Sequence, residues 1–112
     1  MTMNIIENND DMIDVVPEII SPDGDGRDDN CGIYCNFDKE GYSVNIKIFD
    51  TEGNMIRELL HNSLVEYETC IFWDGCDDNK HVVTPGIYVV VTELFDLTGF
   101  MRREKDVVTV YN

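Results

Sequence analysis

The sequence predicts an all-β protein, a sandwich of about seven antiparallel strands packed as two sheets. Three observations carry this. Apolar residues alternate with polar ones through residues 31–37 and 42–48, the period-two pattern of half-buried strands. Turn-forming clusters rich in Asp, Asn and Gly separate such runs, at 38–41, 50–54, 74–79 and 96–99. No stretch carries a convincing helical periodicity.

Taken in order, residues 13–20 hold Val15, Val16, Ile19 and Ile20 around Pro17. Proline has no backbone donor, so this piece belongs to a sheet edge or changes sheets. An acidic loop follows at 21–29. Cys31, Ile33, Cys35 and Phe37 then alternate with Gly32, Tyr34 and Asn36. After a turn, Tyr42, Val44, Ile46 and Ile48 alternate with Ser43, Asn45 and Lys47, the clearest strand in the chain. Residues 50–54 form a hairpin loop in which Gly53 supplies a positive φ. Residues 55–60, directly after a tight hairpin, read as a strand rather than a short helix. Another strand covers 66–73, ending at Trp73. Residues 87–95 are almost continuously apolar and β-branched, as expected of a central strand covered on both faces. A last turn at 96–99 leads into the closing strand, 100–111.

With 112 residues the chain has room for one domain. Residues 1–12, polar and acidic, read as a flexible arm or linker, and 13–112 as the sandwich. Against 23 Asp and Glu stand 8 Lys and Arg, a formal net charge of −15. Such a surface repels phosphate backbones and anionic lipids, which excludes nucleic acid and membrane surfaces as expected partners. The first eleven residues lack the basic start, apolar run and cleavage site of a signal peptide. No segment reaches transmembrane length. The expected location is extracellular or at the cell surface if the chain is a piece of an exported protein, and cytoplasmic if it is complete as written.

The stretch Ser21-Pro22-Asp23-Gly24-Asp25-Gly26-Arg27-Asp28-Asp29 crowds four carboxylates into a glycine-softened loop. Hard oxygen ligands at alternate positions suit calcium, and the expected ligands are Asp23, Asp25 and Asp29 with the Arg27 carbonyl. Tyr34 stands where an EF-hand carries its bidentate Glu, so affinity should be modest. The competing reading is an Asx-turn corner without metal. Asp74, Asp77, Asp78 and Asn79 form a second oxygen cluster, read first as a turn, with Trp73 as a core plug beneath it.

Four cysteines, Cys31, Cys35, Cys70 and Cys76, allow three full pairings. Along one strand Cys31 and Cys35 lie roughly 13 Å apart, beyond the roughly 7 Å that a disulfide spans, so that pairing is excluded. Two disulfide sets and buried free thiols remain open, and the spacings do not match structural zinc. No catalytic residues are expected. His61 and His81 sit on exposed segments without a nucleophile partner, and no family signature surrounds Cys76 and His81. Paired carboxylates for sugar cleavage would need a cleft.

Four motifs in order carry a resemblance: the acidic corner at 21–29, Ile-Phe-Asp-x-x-Gly-Asn at 48–54, Phe-Trp-Asp-Gly-x-Asp-Asp-Asn at 72–79 and Pro-Gly-Ile-Tyr at 85–88. Over about residues 15–110 the chain resembles the Ig-like domain of the flagellar hook-capping protein family. That family's relatives include C-terminal modules of secreted and surface proteins, many similar to type IX secretion sorting domains. The resemblance implies an Ig-like, non-catalytic C-terminal module of an exported or cell-surface bacterial protein. It would act in sorting, in assembly or as a spacer, with a calcium-stabilised corner. Its partner would be a protein: secretion or assembly machinery, or upstream domains of the same chain. The alternative is a stand-alone carbohydrate- or protein-binding module whose contact face is the loops near Trp73 and Tyr88. Lys80 stands where the family has glycine, and Asn79 is expected to take the left-handed conformation instead.

Overall fold

The alternation at 42–50 produces a strand that drives Tyr42, Val44, Ile46 and Ile48 into the core, while Ser43, Lys47 and Phe49 on the other face are only partly buried and Asn45 is covered there. A computed structural model describes residues 12–24, 26 and 28–111, and the description below is of these. They form eight strands: β1 (Ile13–Val16), β2 (Ile19–Ile20), β3 (Cys31–Asn36), β4 (Tyr42–Asp50), β5 (Met55–Val65), β6 (Glu68–Trp73), β7 (Gly86–Phe95) and β8 (Met101–Val110). A three-stranded sheet has the order β1-β3-β6, and a five-stranded sheet the order β2-β8-β7-β4-β5. The fold is the expected β-sandwich.

The strand in excess of seven arises at Pro17. The 13–20 run divides there, β1 pairing antiparallel with β3 and β2 pairing with β8 in the other sheet. The β2–β8 pairing is parallel, with Ile19 opposite Thr109, so the expectation of a wholly antiparallel sandwich is corrected at this one edge. β5 also runs to Val65, beyond the expected end at 60, and β6 starts at Glu68. A register shift between Val44 and Ile46 accommodates the extra length. Asn62 has a φ of +48°, and its N–H donates to the Asn45 Oδ1 at 2.7 Å. A side-chain amide thus satisfies a donor that the bulge displaces from the ladder.

The core lies between the sheets. Ile33, Cys31, Cys35 and Trp73 enter from the small sheet, facing Val44, Ile46, Ile48, Tyr88, Val90, Leu94, Val108 and Val110 from the large one. Burial of each large apolar side chain is worth about 1.5–3 kcal/mol. Thr92 is also fully buried, and its hydroxyl has no hydrogen-bond partner among the described residues. The structure joins none of the four cysteines in a disulfide. Desolvation pushes the Cys31 thiol up to about 11 and the Cys35 thiol up to about 12. Both are small apolar residues in practice.

The apolar run in β7 is covered on one face only, contrary to expectation. Tyr88, Val90, Thr92 and Leu94 point into the core, while Ile87 is 51% exposed and Val89 and Val91 lie on the open outer face of the sheet. On β8 the core-facing positions Val108 and Val110 give way to Arg102, Glu104 and Asp106, which are only partly buried. Arg102 donates to the Glu104 carboxylate. Desolvation, then the charges of Glu104, Glu18 and Asp14, raise the Asp106 pKa.

A carboxyl raised in the folded state favours folding most at pH below its unfolded value of about 3.9, and that contribution disappears as pH rises through the folded value. Asp106→Asn should therefore stabilise the domain at pH 7, with the gain vanishing below about pH 4. Urea unfolding of both proteins across this range reads the difference. An Asn variant no more stable at pH 7 would contradict the assignment.

Candidate functional site

The corner at 21–29 connects β2 to β3 and closes on itself. Ser21 N–H donates to the Asp28 carbonyl at 2.7 Å and Asp23 N–H to the Ser21 carbonyl at 2.8 Å. Gly24 and Gly26 take φ of +80° and +83°, the left-handed region that glycine enters without a Cβ penalty. Their N–H groups donate to the two Asp29 oxygens, Gly24 to Oδ1 at 3.0 Å and Gly26 to Oδ2 at 2.8 Å. Of the four expected ligands, Asp23 and Asp29 are described, while Asp25 and Arg27 lie outside the described residues. Asp29 points into its own loop, where both oxygens already accept backbone donors. Among the described residues no group of three or more His, Cys, Asp or Glu is placed to hold a metal ion.

The second acidic cluster has the same construction. Asp77 Oδ1 accepts the N–H groups of Asn79 and His81, each at 2.9 Å, and these bonds, His81 first, hold its pKa low. Asp74 Oδ1 accepts the Cys76 N–H at 3.0 Å and an Arg57 Nη1 donor at 3.2 Å. Asp78 Oδ1 accepts the Glu58 N–H at 3.2 Å and lies 3.7 Å from Arg57 Nε. Arg57 also donates to the Cys76 carbonyl at 3.0 Å, tying the loop to β5. The sequence reading did not single out Arg57, because its role depends on a contact nearly twenty residues away. Lys80, at φ +67°, adopts the left-handed conformation itself, which corrects the expectation for Asn79.

The two clusters meet. Gly75 packs on Pro22 so closely that a Cβ there would sit 2.9 Å from the proline Cγ, with Ile20 just beyond. Beneath them Trp73 is fully buried, its indole N–H donating to the Cys76 carbonyl at 2.9 Å. Its ring meets Tyr88 edge-on, centroids 5.7 Å apart. Tyr88 is 5% exposed and its hydroxyl donates to the Thr84 carbonyl at 2.6 Å. Trp73 is the core plug expected, and the two aromatics are not available as the contact face of the alternative reading.

Asp50 and Asp96 complete the pattern. Asp50 Oδ1 accepts the N–H groups of Glu52 and Asn54, and Asp96 Oδ1 those of Thr98 and Phe100. Lys39 adds an ion pair to Asp96 at 2.8 Å, and this bond, foremost among several, holds Asp96 well below the usual carboxylate range. Acids at 29, 50, 74, 77 and 96 thus build turns by accepting backbone N–H groups. Among the described residues, the cysteine and histidine side chains near these turns are engaged otherwise. Cys76 is raised by desolvation and its sulfur rests against the Asp74 carbonyl, while the His61 ring meets the Glu58 carboxylate at 3.1 Å.

Neither a family model nor a curated protein sequence matches the chain. Solved structures that share its fold include FlgD from Xanthomonas campestris, described in terms of the hook capping essential for flagellar assembly. It matches with a TM-score of 0.53 at 22% identity, over 71% of this chain and 57% of that one. CopC from Methylosinus trichosporium OB3b matches with a TM-score of 0.56 at 16% identity, over 88% of this chain and 91% of that one. The chain therefore spans little more than half of the FlgD structure. Identities this low carry the sandwich fold alone.

Gly75→Ala should cost about 2 kcal/mol, from a strained left-handed residue and a collision with Pro22. Chemical denaturation reads this as a lower midpoint at unchanged slope. A variant as stable as the parent would show that the two loops are not packed as described.

Proposed function

We propose that this chain is a non-catalytic, Ig-like module of an exported or cell-surface bacterial protein, engaged in assembly or sorting through a protein partner. The observation that carries the reading is where the reactive side chains go. The turn carboxylates accept backbone N–H groups, and burial raises the Cys31 and Cys35 thiols. A scaffold rather than a reaction centre uses its polar groups this way. The fold shared with FlgD, a protein of flagellar assembly by its own description, supports the assembly role.

The open edge of β5 is the natural docking line for a partner strand. Asp78 covers the start of this strand through bonds to Ile56 and Glu58, and beyond it Leu64 is 76% exposed. Unpaired edge backbone recruits an extended segment by β-augmentation. Calcium at the 21–29 corner belongs to the same proposal. Its role would be to reinforce a loop that Asp29 already closes, so its contribution to folding would be small.

Fusing residues 13–112 to a carrier in a bacterium with outer-surface export tests the sorting role: export should depend on the module, and unchanged export without it would defeat that role. For the corner, the melting temperature of the purified chain should rise by a few degrees in millimolar calcium and fall back with chelator. An unmoved transition would remove calcium from the account.

A further inference from the structure

The outer face of the five-stranded sheet departs from the rest of the molecule. Its middle is a shallow concavity of about 640 Å³ lined by Phe49, Val89 and Val91, by Lys47, Lys105 and Arg103, and by two acids already engaged, Asp50 in its own turn and Glu93 with Arg103. Register fixes the arrangement. Phe49, Val89 and Val107 form one row across β4, β7 and β8, and Lys47, Val91 and Lys105 form the next. Val107 is 52% exposed and Ile87 is similarly open on the same face. The apolar run of β7 was therefore written for two covered faces, and the described chain covers one.

The cations are arranged as unusually. Lys39, Arg57, Arg102 and Arg103 each hold a carboxylate. Lys47, Lys105 and the loop residue Lys80 hold none, and of these only Lys47 and Lys105 lie on this face, where their ammonium groups make no hydrogen bond among the described residues. Glu58, opposite Lys47 in register, contacts His61 instead, and Glu93, one row away, is taken by Arg103 at 2.7 Å. In a chain with 23 acids, two ammonium groups flanking an apolar row have been left unneutralised.

We propose that this face docks an acidic, extended segment of a partner protein with the pattern acid–x–apolar–x–acid. Lys47 and Lys105 are two strand spacings apart, about 10 Å, and alternate side chains of an extended peptide share one face. Carboxylates at the first and fifth positions of the segment lie about 13 Å apart, a mismatch that the flexible lysine stems absorb. The apolar residue between them falls on Val91. Nucleic acid and anionic membranes fit less well, because the surrounding net charge of −15 repels an extended polyanion beyond two point contacts. The inference rests on the module reading only in taking the partner to be a protein.

The test is an amide chemical-shift titration of the isolated chain. The probe is a capped seven-residue peptide with glutamates at its second and sixth positions and valine between them. Shifts should centre on Val89, Val91 and Lys105, and affinity should fall several-fold between 50 and 200 mM salt (about a doubling in screening strength). Binding should weaken by about tenfold in Lys47→Glu/Lys105→Glu and by less in Lys47→Gln/Lys105→Gln, the second pair guarding against a folding defect in the first. Equal binding of a glutamine-for-glutamate peptide, shifts elsewhere, or no shifts would overturn the proposal. So would shifts of the same amides by phosphatidylserine vesicles or oligodeoxythymidine with the peptide inert. Export assays do not enter this readout, so the docking face stands or falls separately from the sorting role.

Discussion

Trp73 is the side chain on which the rest of the molecule depends. It ends β6 in the small sheet, lies edge-on against Tyr88 of the large sheet and bonds through its indole N–H to the Cys76 carbonyl. One residue thereby holds two sheets and a loop. A buried indole that lost its acceptor would leave a polar N–H in the core at a cost of about 1–3 kcal/mol, so the loop conformation and the sheet packing are coupled. Gly75 extends that coupling to the first acidic corner, since only a residue without Cβ lets Pro22 settle against the loop.

The charge of the chain makes sense against this frame. Carboxylates that terminate turns are acceptors for backbone N–H groups that no strand can satisfy, and each does locally what a helix cap does at a helix end. These turn aspartates are therefore structural before they are electrostatic. Their accumulated repulsion is offset only in part, by Arg57 across the second loop and Lys39 at Asp96. It is against this excess that the unneutralised Lys47 and Lys105 acquire meaning.

Much of the fold was legible because one buried face imposes a period of two. Tyr42, Val44, Ile46 and Ile48 declared β4, and Pro17 marked a sheet edge or a change of sheet, of which the structure shows both. What escaped depends on partners distant in sequence. His61, Asn62 and Ser63 carry no apolar alternation, and they are held in β5 by pairing with β4 and by the Asn45 amide. Arg57 was silent for the same reason, and Lys80 adopts a strained φ that local preference assigned to Asn79. In the acidic corner, spacing alone could not distinguish ligands converging on an ion from Asp29 turned back on its own glycines. The run 87–95 announced two covered faces without saying what covers the second.

Hydrogen exchange of the Trp73 indole proton, followed beside the backbone amides, tests the central claim most directly. If this side chain joins both sheets and the loop, its Nε1–H should exchange in the slowest class, together with the amides of β3, β4 and β7. Rapid exchange of the indole proton, with the small sheet opening in a class of its own, would contradict it.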